Sequence, residues 1–254
     1  MAASNSNSNS NSNSNYHIFD APEEDDDEAK WYVPHECLQA LGQFIIGQRI
    51  GSGSFGKVFD FCTSELACDK VIKLIPFGSV GGGIPYSVGN FQKEVKITRM
   101  ASNLGISPKF YDAFTCEGIR TDLTRSRRTE TIVIGFIIQE KWDMSFENYI
   151  DIAPKRQLPD DMQQILDTKI DLMHERGIGH GDIAPRNVVL RLKPTHAVGS
   201  DQSPDLKRAR GKNVELVPVD IALIDFGDAI LENEVDSDQF DEIVQQDDQD
   251  SYSL

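Results

Sequence analysis

The chain has few cysteines, and they form no motif. Cys37, Cys62, Cys68 and Cys116 are the whole set, and no two stand in a C-x-x-C pair. Zinc-ligand spacing and a disulfide framework are therefore not expected, and a reducing compartment is. Long apolar runs are missing too. The longest, Ile132 to Ile138, is far short of the roughly 20 residues that span a bilayer. The first residues carry no basic-then-apolar leader pattern. The expectation is an intracellular protein, of cytoplasm or nucleus, with no membrane partner.

Basic charge is scarce where a nucleic-acid surface would need it. The net charge is −16, from 41 acids and 25 bases. Seven acids fall within residues 20 to 28 and nine within residues 232 to 250, and neither stretch holds a Lys or Arg. Those sixteen account for the whole excess, so residues 29 to 231 are neutral overall. A nucleic-acid partner is not expected, and the acidic ends read as solvated termini. The Asn-Ser alternation from Asn5 to Asn15 has no apolar residue to bury and cannot offset the entropy of ordering its backbone. Residues 1–28 therefore read as a disordered tail, and residues 232–254 as an acidic tail with room for one short helix around Phe240, Ile243 and Val244. The folded part is expected over 29–231, anchored first by Trp31, Tyr32, Val33 and Leu38.

From Phe44 the pattern is one of short strands. Ile45, Ile46 and Ile50 lead into Gly51-Ser52-Gly53-Ser54-Phe55-Gly56-Lys57-Val58, and Val71 to Ile75 form a further strand. Glycines at Gly51, Gly53 and Gly56 let backbone amides approach phosphate oxygens unobstructed. Because they lie between two strands rather than between a strand and a helix, a dinucleotide fold is disfavoured; a glycine-rich hairpin with no ligand is the plain alternative. Lys73 sits alone among Ile72 and Leu74, and a buried ammonium requires a partner. The helix expected over Phe91 to Met100 offers Glu94; otherwise Lys73 is a surface residue of an edge strand.

Ile132 to Ile138 reads as a buried strand running into Gln139-Glu140-Lys141-Trp142, whose backbone can present edge hydrogen bonds to an adenine ring. Asp161 to Arg176 reads as a helix, with Met162, Ile165, Leu166, Ile170 and Met173 at helical spacing and Gly177 as its cap. It delivers a loop with His180-Gly181-Asp182 and, five residues on, Asn187, and Asp225-Phe226-Gly227 follows later. Taken singly, Asp182 and Asp225 are ordinary turn-forming acids at strand ends.

In this order and spacing the motifs resemble those of the eukaryotic-type protein kinase superfamily, over residues 44 to 231. The resemblance implies an α+β, two-lobed protein-kinase-like fold, with an antiparallel-sheet N-lobe over about 44–142 and a shortened, mainly helical C-lobe over about 143–231. It implies ATP and Mg2+ as cofactors. Gly51, Gly53, Gly56, Val58, Lys73, Glu140 and Trp142 would line the nucleotide site. Lys73, paired to Glu94, would reach the α- and β-phosphates. Asp182 would orient the acceptor hydroxyl, and Asn187 and Asp225 would ligate the metal.

Several positions depart from that pattern. Gly181 replaces the usual Arg, so an activation-segment phosphate would have no such arginine to pair with. Ala184 replaces the usual Lys, and Arg186, placed as in tyrosine-kinase loops, would supply positive charge beside the γ-phosphate. After Gly227 come 27 residues with no A-P-E segment, which marks a minimal, atypical member with a curtailed C-terminal lobe. The leading expectation is a protein kinase acting on a Ser, Thr or Tyr hydroxyl. The alternatives are a small-molecule kinase of the aminoglycoside or choline type and a nucleotide-binding pseudokinase or scaffold. Thr195 to Asn213, with Lys207, Arg208, Arg210 and Lys212, reads as a solvated insertion, as does the Arg125 to Arg128 turn.

Overall fold

Short runs of β-branched and aromatic residues pair into one antiparallel sheet in the first half of the chain. The computed structural model describes residues 16–19, 29–53, 56–64, 67–78, 86–122, 129–152, 157–194 and 216–254. Ser54 and Phe55 of the glycine turn, the Thr195 to Asn213 insertion and the Arg125 to Arg128 turn lie outside these residues. The strands are β1 (Tyr16–Phe19), β2 (Ala29–Pro34), β3 (Ile45–Gly53), β4 (Gly56–Cys62), β5 (Lys70–Pro76), β6 (Phe110–Asp122) and β7 (Thr129–Glu140), with helix α1 (His35–Gln39) after β2. Their order across the sheet is β1-β2-β6-β7-β5-β4-β3. The sheet curls strongly: the Phe19 ring on β1 meets that of Phe59 on β4 at 5.3 Å between centroids. Trp31, Val33, Leu38, Phe61, Ile72, Leu74 and Phe136 fill the interior.

Helix α2 (Val88–Asn103) covers the sheet's other face, where Phe91 packs with Ile75, Tyr86 and Ile137. Gly135 makes this approach possible, since a Cβ there would stand 2.5 Å from the Phe91 ring. The chain continues through β8 (Met144–Ser145), α3 (Phe146–Ile150), α4 (Asp160–Glu175), β9 (Ile178–Gly179), a 3-10 turn (Pro185–Asn187), β10 (Val188–Pro194), β11 (Leu216–Leu223), β12 (Ile230–Leu231) and α5 (Ser237–Ser251). These build a three-stranded sheet, β11-β10-β8, and a two-stranded one, β12-β9. Leu166, Ile170 and Met173 of α4 pack on Val188, Leu190, Ile221 and Leu223, in a core that also takes in Ile97 and Ala101 of α2. The fold is thus α+β: among the described residues, a curled antiparallel sheet is followed by three helices and two small sheets.

Three expectations are corrected. Within the first 28 residues, Tyr16–Phe19 forms a strand whose register pairs Phe19 with Trp31, and Phe19 is buried. Four residues suffice because β2 already offers a free edge. β1, β2 and α1 therefore extend the first sheet upstream of residue 44. Second, the acidic C-terminal stretch is no solvated tail. It forms α5, packed on α4, and places Phe240, Asp247 and Ser251 inside. Third, the cysteines are paired: Cys37 with Cys116, 79 residues apart, and Cys62 with Cys68, six apart. The β2–β6 pairing brings the first two together, and the β4–β5 hairpin the second two. No helix among the described residues is long and apolar enough to cross a membrane.

Candidate functional site

Strand alternation decides where Lys73 goes. Ile72 and Leu74 enter the curled interior, so Lys73 takes the opposite face with Ile75, beneath α2. On α2 the buried positions Phe91, Glu94, Ile97, Thr98 and Ala101 recur at helical spacing, and Glu94 is the acid on that stripe. The two meet: Lys73 Nζ donates to Glu94 Oε1 at 2.8 Å. It also donates to Asp225 Oδ1 at 2.6 Å, across 152 residues of sequence. Burial works against the Lys73 charge, but Glu94 and Asp225 more than offset it and hold the ammonium charged well above the ordinary range. Burial likewise raises Asp225, yet Lys73 overrides it and leaves that carboxyl below its usual value. Asp225 has φ 64°, the left-handed region that a non-glycine residue seldom occupies. Glu94 has a second donor, the Tyr86 hydroxyl, which contacts Oε2.

The loop after α4 forms a second group. Gly177 ends that helix with φ 67°, as its sequence position predicts. His180 is fully buried; its Nε2 contacts the Ile224 carbonyl at 3.1 Å and its Nδ1 accepts from the Asp182 N–H at 3.3 Å. One ring thus ties Asp182 to the segment carrying Asp225. Arg186 donates to both oxygens of Asp182, at 2.6 and 2.9 Å, and Asn187 Nδ2 donates to Asp182 Oδ2 at 2.7 Å. The Asn187 carbonyl accepts from Ile224 N at 2.9 Å, which stitches the two segments again. Asp228 feels both groups: burial, then Asp182 and Asp225, push its carboxyl up.

Gly181 earns its place through its backbone. Its φ is 74°, and a Cβ there would lie 3.1 Å from the Asp228 carbonyl oxygen, so a side chain at this position would be strained and would press on that carbonyl. Gly56 is likewise fixed by structure, because a Cβ would collide with the Leu74 carbonyl across the β4–β5 pairing. Gly51 and Gly53 lie on β3, opposite Val58 and Gly56 of β4, and Val58 in turn pairs with Lys73.

Glu140 and Trp142 belong to a different cluster. Arg191 of β10 pairs with Glu140 at 2.6 Å and stacks on the Trp142 ring at 4.9 Å, while Trp142 Nε1 donates to Glu140 Oε2 at 3.2 Å. The Glu140 and Lys141 N–H groups are engaged by the Lys109 and Asp69 carbonyls at 2.8 and 2.9 Å. The Glu140 and Trp142 side chains thus join the end of the first sheet to β10.

Asp247 is among the residues that escaped the reading of the sequence. Asp247 of α5 is fully buried and accepts from His180 N at 2.6 Å and Gly181 N at 2.9 Å, while His174 Nε2 lies 3.2 Å away. Phe240, Val244, Asp247 and Ser251 recur at helical spacing, the signal that separates this helix from a solvated acidic run.

Two groups of residues distant in sequence thus converge on one region: a lysine held by two carboxylates, and an acid held by an arginine and an asparagine. Comparisons with known proteins agree in class. No protein-family model matches the chain. It is similar to Serine/threonine-protein kinase STK11 of Rattus norvegicus, 21% identical over 176 residues, which cover 67% of this chain and 37% of that protein. The corresponding Homo sapiens protein is 21% identical over 171 residues, covering 65% and 36%, and the Xenopus laevis protein is 24% identical over 171 residues, covering 67% and 37%. The match spans little more than a third of the length of these relatives. The relationship is distant and protein-kinase-like.

Proposed function

We propose that the chain is an ATP- and Mg2+-dependent phosphotransferase, a protein kinase that passes the γ-phosphate to a Ser, Thr or Tyr hydroxyl. The observation that carries this reading is the Lys73–Glu94 pair with Asp225 in contact at 2.6 Å. The second acid comes from a remote segment, so the pairing brings together the lysine and the two acids that a kinase phosphate-and-metal site uses. In this reading Lys73 binds the α- and β-phosphates and Gly51, Gly53, Gly56 and Val58 cover them. Asp225 and Asn187 hold the ion.

The residues fit Mg2+. Among the described residues no three or more His, Cys, Asp or Glu side chains converge into a metal site of their own. Mg2+ asks for less, since it usually takes one or two carboxylates and completes its shell with phosphate oxygens and water. When bound, it would neutralise phosphate charge. Asp182 orients the acceptor hydroxyl and takes its proton at a carboxylate oxygen. Arg186, which forks onto Asp182, supplies positive charge at the transferring group.

A small hydroxyl-bearing acceptor is the second reading. It is favoured by the short path from Gly227 to α5, which holds only β12 and a 3-10 turn (Glu232–Glu234) and leaves little surface for an extended peptide. Radiolabelled ATP offered with a panel of peptides and metabolites decides between them. Asp182→Asn should keep Mg2+-ATP binding and lose transfer by about a hundredfold or more. No transfer by the wild type to any acceptor would leave a nucleotide-binding scaffold, and equal transfer by the mutant would remove Asp182 from the reaction.

A further inference from the structure

We propose that Tyr86 is a positioning residue for nucleotide binding, which sets the orientation of the Glu94 carboxylate and through it the place of Lys73. The inference rests on the nucleotide-site reading of Lys73 given above.

Tyr86 stands between the exit of β5 and the first turn of α2, and both ends of it are pinned. Its carbonyl accepts from Gly78 N at 3.0 Å. The next residue, Ser87, caps α2, accepting from Asn90 N at 3.1 Å while its own N–H donates to Asn90 Oδ1 at 3.2 Å. The ring is buried, 6.3 Å from that of Phe77. The hydroxyl therefore has little freedom of its own, and it is spent on Glu94 Oε2.

Glu94 is only 2% exposed, so both of its oxygens need donors from the protein. Tyr86 takes one and Lys73 the other, at 2.8 Å. This division holds the carboxylate in a single rotation and offers one oxygen to Lys73. The ammonium keeps donors free to face Asp225 and, in the reading above, a phosphate oxygen. Without the phenol the buried carboxylate has Lys73 as its remaining strong donor. It would turn both oxygens onto the ammonium and draw it away from the phosphates.

Tyr86→Phe removes one oxygen and keeps the ring. The dissociation constant for Mg2+-ATP is to be measured for wild type, Tyr86→Phe, Lys73→Met and the double variant, each well below its own melting temperature. We expect Tyr86→Phe to weaken binding about fivefold, and to have less than a twofold effect once Lys73 is Met, as coupled neighbours do. Ser87→Ala, which loosens the start of α2 without touching Glu94, should leave the constant within twofold. Unchanged affinity in Tyr86→Phe would overturn the inference. So would a Tyr86→Phe effect that persists in full without Lys73, or one that Ser87→Ala reproduces, since packing would then explain it. Absence of nucleotide binding by the wild type overturns the nucleotide-site reading itself and Tyr86's role with it.

Discussion

Replacing Asp247 by alanine tests whether the C-terminal helix is a working part of the site. The substitution strands the His180 and Gly181 N–H groups, which donate to Asp247 at 2.6 and 2.9 Å, next to a histidine with no solvent exposure. Leaving a buried donor without an acceptor costs about 1–3 kcal/mol. Two such groups, less the desolvation that the missing carboxylate no longer suffers, give a net loss of about 2–4 kcal/mol. For a protein of this size about 1 kcal/mol moves Tm by about 2–4 °C, so a fall of about 5–15 °C is expected. Asp248→Ala is the internal control: the Asp248 side chain is 51% exposed, and its loss should be within about 0.5 kcal/mol of neutral. Thermal melts followed by circular dichroism read both. If Asp247→Ala melts no lower than Asp248→Ala, the carboxylate does not hold the loop. In the phosphotransferase reading proposed above, the loss should also carry into transfer, because Asp182 follows directly on the two anchored amides. Asp247→Asn should fall between, since its oxygen can serve one N–H while its amide nitrogen opposes the other.

Three further outcomes are expected. Lys73→Met should leave the fold intact but cost about 1–3 kcal/mol, since Glu94 and the partly exposed Asp225 lose their counter-ion; titration with Mg2+-ATP should show weakening of about tenfold or more, and undiminished affinity would make Lys73 a purely structural residue. Asp225→Asn should abolish the difference in ATP thermal shift with and without Mg2+, because it removes the charge that holds a hard cation; an unchanged difference would refute the metal assignment. Burial, with His35 beside it at 2.7 Å, lowers the His17 pKa to about 4, so the folded state resists a proton that the unfolded chain accepts near 6.5. Stability from His17 is therefore complete above about pH 6.5 and lost as pH falls toward 4. Melts of wild type and His17→Gln across that window should converge at the acidic end, and parallel curves would exclude the effect.

What could be read from the sequence depended on how locally each signal is written. The glycine turn, the lone Lys73 and the α4 stripe ending at Gly177 all declare themselves within a few residues, and the structure has β3 and β4, β5 and α4 at those positions. Glu94 was legible because it shares a helical face with Phe91 and Ile97. The cysteine pairing was not: Cys37 and Cys116 meet through a strand order, β2 beside β6, that no local pattern specifies. Asp247 was masked by its neighbours, since eight other acids in the same stretch give a burial-bearing helix the composition of a solvated tail. Tyr86 follows a glycine-rich segment that offers no periodicity, and only the contact with Glu94 distinguishes it.

The anchoring of His180 by Asp247 has a consequence for synthesis. The two lie 67 residues apart, so a growing chain presents the Asp182 loop to its folded first half well before the helix that fixes it exists. At about 5–20 residues per second that interval lasts roughly 3–13 s. During it the β-sheet can form, bind α2 and bring Lys73 to Glu94, while the loop that carries Asp182 lacks the acceptor for its two amides. A ribosome stalled in this window would carry a nascent protein able to pair Lys73 with Glu94 but not to anchor the Asp182 loop, which orders assembly of the two groups in time as well as in space.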